Sequence, residues 1–96
     1  MKTIRYTLKA RTSIQQIAEY LLDQTTSKAF VKQHLEKLRK SIEELLTSFP
    51  DAGVQIQLQG MTCRRLVVQG YSVLYVVKDG EVAILLIYKQ NEPKLN

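Results

Sequence analysis

Arg64 and Arg65 open the stretch RRLVVQGYSVLYVVKDGEVAILLIYKQ, and their paired guanidinium groups are well suited to meeting an anion. Neighbours on a strand point to opposite faces, so at most one of the two can join any given surface. Other chemistry-bearing types are scarce. Cys63 is the only cysteine, which excludes an internal disulfide and a cysteine-based zinc site. It reads as a small buried or half-buried thiol. His34 is the only histidine. It falls in a helical segment beside Phe30 and Leu38, with no Ser or Cys placed to form a nucleophile pair, and a metal site needs several such ligands. No metal and no cofactor are expected. The formal charge is +5 and the pI near 9.5. That balance favours an acidic partner (nucleic acid, an anionic protein or an acidic peptide), with a solvated basic face as the plain alternative.

The elements that must position these residues are legible in the pattern. At 96 residues the chain has surface for one core, so one domain is expected over 1–96. A hydrophobic share of 45% is ordinary for a globular protein. No apolar run approaches the ~18 residues of a membrane span, and the first residues, Met1 to Arg5, lack the apolar core of a signal peptide. A cytoplasmic protein is expected.

Residues 3–10, TIRYTLKA, alternate: Ile4, Tyr6, Leu8 and Ala10 against Arg5, Thr7 and Lys9, the period of a half-buried strand. Helical period follows from Thr12, with Thr12 or Ser13 as N-cap and Gln15 or Gln16 completing a capping box. Ile14, Ile17, Ala18, Leu21 and Leu22 form its apolar stripe. DQTTSK breaks this helix. A second is expected over 27–48, with Val31, Leu35, Leu38, Ile42, Leu45 and Phe49 as its stripe. Lys32/Glu36, Glu36/Lys40, Arg39/Glu43 and Lys40/Glu44 are opposite-charge pairs on its solvent side. Pro50 stops it and PDAG turns the chain. VQIQLQ then alternates Val54, Ile56 and Leu58 against glutamines. Strands over 63–68, 71–77 and 81–88 follow, turning at Gln69-Gly70 and at Asp79-Gly80, a strong hairpin signal. The continuously apolar VAILLIY suits a central strand. NEPKLN at the end looks frayed. The fold class is α+β: an N-terminal strand, an antiparallel helical hairpin, then a three- to four-stranded antiparallel sheet with the hairpin on one face.

This β-α-α-β-β-β order, the basic charge and three phrases (LTSFPDAG, RRLVVQGYSVLYVV and DGEVAILLIYKQ) together resemble the RelE/ParE superfamily of bacterial toxins, over almost the whole chain from Tyr6 to Tyr88. The resemblance implies the toxin of a type II toxin–antitoxin (plasmid stabilisation) system, inhibiting growth until a cognate antitoxin neutralises it. It also implies one of two targets. RelE-like toxins cut messenger RNA at the ribosome with a basic set that activates the 2′-hydroxyl and stabilises a pentavalent phosphate. ParE-like toxins bind and poison DNA gyrase.

Where the RelE pattern has an arginine before the Gly-Tyr turn, this chain has Val67-Val68-Gln69. After the final strand it has Lys89-Gln90-Asn91, with neither arginine nor histidine. Were it a nuclease, the resemblance would leave Arg64, Arg65, Tyr88 and Lys89 as catalytic candidates, with Lys9 beside them. Tyr88 reads more simply as the polar-ended cap of a core strand. The missing groups favour the ParE-like branch, a non-enzymatic inhibitor of DNA gyrase with Arg64, Arg65 and Lys89 as target-binding residues. The ribosome-dependent endoribonuclease is the alternative. An antitoxin helix or strand is expected along the helical hairpin or at a sheet edge. Target and oligomeric state stay open at this level.

Overall fold

A computed structural model describes residues 3–89; the reading of NEPKLN lies outside them. The elements are β1 (Thr3–Tyr6), α1 (Leu8–Gln24), α2 (Lys28–Ser48), β2 (Val54–Leu58), β3 (Met61–Val68), β4 (Tyr71–Lys78) and β5 (Glu81–Lys89). The expected α+β order is met. The sheet holds five strands in the order β1-β5-β4-β3-β2. Strands β2 to β5 form the antiparallel meander. β1 lies parallel to β5, with Thr3 opposite Glu81 and Tyr6 opposite Ile84, so the sheet is mixed. β5 is thus flanked on both sides, which accounts for its apolar run. Gln69-Gly70 and Asp79-Gly80, like Gln59-Gly60, have positive φ at both positions. That is the two-residue turn whose twist matches the flanking strands.

The first helix starts earlier than its sequence suggests. Thr7, not Thr12 or Ser13, is the N-cap: its Oγ1 accepts from the Ala10 N–H at 3.1 Å and donates to the Ile84 carbonyl at 2.8 Å. One side chain so caps α1 and ties it to β5. Ser13 lies buried inside the helix, donating to the Lys9 carbonyl. The alternation from Tyr6 to Ala10 was coincidental, since Leu8 is 73% exposed while Ala10 is fully buried. The inward stripe accordingly runs through Ala10, Ser13 and Ile17, flanked by Ile14 and Leu21, and leaves Leu22 exposed.

α2 begins where expected, with Ser27 as N-cap to the Phe30 N–H at 3.1 Å. Its stripe holds for Val31, Leu38 and Ile42 and then continues to Leu46, not to Leu45 and Phe49. The four charge pairs anticipated along it do not close. Among the described residues the ion pairs are Arg5–Glu81 at 2.8 Å and Arg64–Asp51 at 3.8 Å. Long exposed side chains gain too little from such contacts to be held in them.

A bulge separates the two faces of β5. Leu74 faces Leu86 but Tyr75 faces Ile84, so Leu85 is the extra residue. Inward positions therefore switch parity, from Val82 and Ile84 to Ile87 and Lys89. Val82, Ile84 and Ile87 join Val73, Tyr75, Leu38, Ile42 and Leu46 in the core.

Three tyrosines report this packing. Burial first, then the hydrogen bond donated to Glu43 at 2.8 Å, holds the Tyr6 hydroxyl well above its usual value near 10. Burial also pushes Tyr71 and Tyr75 upward. The folded state therefore keeps protons that the unfolded chain releases above about pH 10. Their contribution to stability is complete below that pH and is lost as the pH climbs toward the raised folded-state values. Urea titrations should show an unfolding free energy unaffected by these groups up to about pH 10 and falling above it, with a shallower fall in Tyr6→Phe.

Candidate protein-binding surface

The sheet has two faces, and the register assigns each candidate residue to one of them. On β3, Leu66 and Val68 pack toward the helices, so Arg64 shares their face while Cys63, Arg65 and Val67 point the other way. Ser72 and Leu74, the cross-strand partners of Val67 and Arg65, are buried on that second face. Cys63 is buried there, as its type suggests.

Arg64 is occupied by the chain around it. Its Nη1 donates to the Gly53 carbonyl at 2.7 Å and to the Asp51 carbonyl at 3.2 Å, and its Nη2 lies 3.8 Å from the Asp51 carboxylate. The same turn is held from beneath by Tyr75, whose hydroxyl accepts from the Gly53 N–H at 2.8 Å and donates to the Pro50 carbonyl at 2.9 Å. Arg64 and Tyr75 are cross-strand neighbours. Together they fasten the loop between α2 and β2. The Gly53 position has no room for more: a Cβ there would lie 2.7 Å from the Tyr75 hydroxyl oxygen.

Arg65 is exposed, in register with Val54 on one side and Leu74 on the other. Tyr88, half-buried, sits on the same second face opposite Ser72. Lys89, one residue later, turns to the helix-side face. Its ammonium lies 5.5 Å above the Tyr71 ring, a cation–π contact. The Tyr71 hydroxyl in turn meets His34 Nε2 at 3.1 Å, and Phe30 stacks on the His34 ring at 6.1 Å. Lys9 is exposed on α1, at the opposite end of the chain's order.

The arrangement therefore separates what a catalytic set would need together. Tyr88 and Lys89 lie on opposite faces, Arg64 is engaged in a turn, and of the three candidates that remain only Arg65 and Tyr88 share a face. No described group of three His, Cys, Asp or Glu could hold a metal ion. The structure does assemble a cationic and aromatic rim of Phe30, His34, Tyr71 and Lys89. Sequence reading missed it because His34 and Tyr71 come together across 37 residues, and only the helix-on-sheet placement brings them into contact. The second face is apolar at its β2–β3 side: Val54, Leu58, Met61 and Val67 are all exposed there. Such contiguous apolar exposure beside a positive charge is a protein-binding surface in character.

A family model described as the ParE toxin of type II toxin–antitoxin systems, parDE, matches residues 4–93. Among solved structures, one of the chromosomal ParDE toxin–antitoxin system from P. aeruginosa is similar, with a TM-score of 0.74 over 93% of this chain and 96% of that one. At 18% identity the likeness is one of fold. No curated protein matches.

Proposed function

From membership of the ParE toxin family of type II toxin–antitoxin systems, to which this chain belongs, we propose that it arrests growth by binding, without catalysis, in the cytoplasm. DNA gyrase is the proposed target and a cognate antitoxin the silencer. The observation that carries this reading is the dispersal of the catalytic candidates: Tyr88 and Lys89 face opposite ways, and Arg64 is spent on the loop at Pro50–Gly53. A nuclease must gather an activating group and phosphate-stabilising cations around one scissile bond. A binding toxin needs only complementary surface and charge. Arg65, beside the exposed apolar residues of β2 and β3, and Lys89, at the aromatic rim, are the proposed target contacts. Arg64 supports them by positioning the loop. The antitoxin is expected to lay a helix or strand along the hairpin or a sheet edge.

Pulse labelling of DNA and protein synthesis just after induction without antitoxin tests the reading. DNA synthesis should fall first. If protein synthesis falls first and translated messages are cut, the endoribonuclease reading replaces it, with Arg65 and Tyr88 as its nucleus. A second expectation is specific to Tyr88. Because its hydroxyl is given no chemical step, Tyr88→Phe should leave growth arrest within about twofold of wild type, well under the 10²–10⁴-fold that loss of a general acid or base costs. Viable-cell counts after induction, with folding verified by circular dichroism, measure this.

A further inference from the structure

β2 is the outermost strand of the sheet, paired with β3 on one side and with no described strand on the other. Sheet edges are ordinarily blunted by charge, proline, a bulge or brevity. The opposite edge follows that rule: β1 has four residues and carries the Arg5–Glu81 ion pair. β2 does not. No charged residue lies between Asp51 and Arg64, β2 contains no proline, and its register with β3 is uninterrupted from Val54 to Leu58.

The strand is also its own complement. VQIQL has the same alternation of apolar residues and glutamines in both directions about Ile56. An antiparallel pairing on a two-fold axis through Ile56 sets Val54 against Leu58, Gln55 against Gln57 and Ile56 against its copy. Every apolar residue then meets an apolar one on the second face, and every glutamine meets a glutamine on the other, which is the condition for an isologous contact. Val54 is 69% exposed in the single chain, and Leu58 and its cross-strand neighbour Met61 extend the same strip. The strand is held ready, by the Arg64 and Tyr75 bonds to the loop before it and by Gln57 Nε2 donating to Thr62 Oγ1 at 2.7 Å, so little ordering entropy opposes pairing.

We propose that in the absence of antitoxin two copies of this chain join edge to edge through β2, forming one continuous sheet across the dyad. A second copy is favoured over a charged partner by the edge itself, which has no charge of its own to pair and meets its own copy apolar to apolar and glutamine to glutamine. The net charge of +5 on each chain opposes the contact and keeps it weak. The interface is small, so the dimer is weak, with a dissociation constant of order micromolar to hundreds of micromolar.

Sedimentation velocity on the full chain from about 5 to 500 μM tests it over the range where such a complex would form. The wild type should shift from monomer to dimer with concentration. The double variant Gln55→Lys/Gln57→Lys places lysines opposite one another across the dyad and should weaken the dimer at least tenfold. Gln55→Glu/Gln57→Glu should do the same, and an equimolar mixture of the two variants should restore a dimer. Both side chains replaced are exposed glutamines, and circular dichroism of each variant verifies the fold. A wild type that stays monomeric throughout, a lysine variant that dimerises like the wild type, or a mixture that fails to pair would each overturn the proposal. Monomeric wild type with antitoxin binding weakened in the lysine variant would assign the edge to the antitoxin's strand instead.

Discussion

Leu46→Ala should lower the free energy of unfolding by about 2–5 kcal/mol, the usual cost of emptying a leucine-sized space in a core. Leu45→Ala, one residue earlier, should cost less than half as much. Leu46 is 0% exposed and joins Leu38, Ile42, Val73 and Ile84 in the core, whereas Leu45 is 36% exposed. For a domain of this size the total stability is about 5–15 kcal/mol, so the first substitution removes a large fraction. It should lower the melting temperature by roughly 10–30 °C. Urea unfolding of both variants, with unchanged slope, is the measurement. Equal costs would mean that the last turn of α2 packs through Leu45 as well, and the described register would be wrong.

That pair of residues also marks how far pattern carries and where it stops. The heptad-like steps from Val31 to Ile42 are compatible with either Leu45 or Leu46 as the next inward position, because three- and four-residue steps both keep a residue near one face. Which one is buried depends on how α2 lies across β4, and no local signal contains that angle. The same holds at the N-terminus. Thr7 caps α1 because it can also reach the Ile84 carbonyl, a contact across most of the chain, and this tertiary bond outweighs the local caps at Thr12 and Ser13. The elements themselves were legible because glycine turns and breakers are local chemistry. Gln69-Gly70 and Asp79-Gly80 define their hairpins whatever lies around them. The parallel docking of β1 on β5 was not legible, since no turn links the two strands.

The candidate residues divide along the same line. That Arg64 and Arg65 would part to opposite faces followed from strand geometry alone. Which of them would be spent on structure did not, because the loop that takes Arg64 is held by a tyrosine 22 residues from Gly53. Tyr88 and Lys89 separated for the same geometric reason, but the bulge at Leu85 decided which face each received. A continuous apolar run such as VAILLIY hides a parity change, because both faces carry the same kind of side chain.

Tyr75→Phe should destabilise the protein by about 1–3 kcal/mol while leaving its ring volume in place, because it orphans a buried donor. The Gly53 N–H loses its acceptor and the Pro50 carbonyl loses its donor, and the ring they meet is fully buried. The same loop supplies both backbone acceptors of Arg64, so the two side chains act on one object. A double-mutant cycle of Tyr75→Phe and Arg64→Ala should therefore show coupling of about 0.5 kcal/mol or more, where independent sites would add. Gly53→Ala supplies the complementary test. Its Cβ would lie 2.9 Å from Tyr75 Cε1 and 3.0 Å from the Arg65 carbonyl as well as against the hydroxyl. Overpacking there should cost about 1–3 kcal/mol, and removing the hydroxyl should relieve only part of it. The functional consequence separates the two arginines. If Arg64 works through the loop, toxicity in Arg64→Ala should fall in step with stability and be matched by Tyr75→Phe. Arg65→Ala should reduce growth arrest with the unfolding midpoint unchanged. An Arg64→Ala protein that is as stable as wild type yet inert would instead make that guanidinium a direct contact with the target.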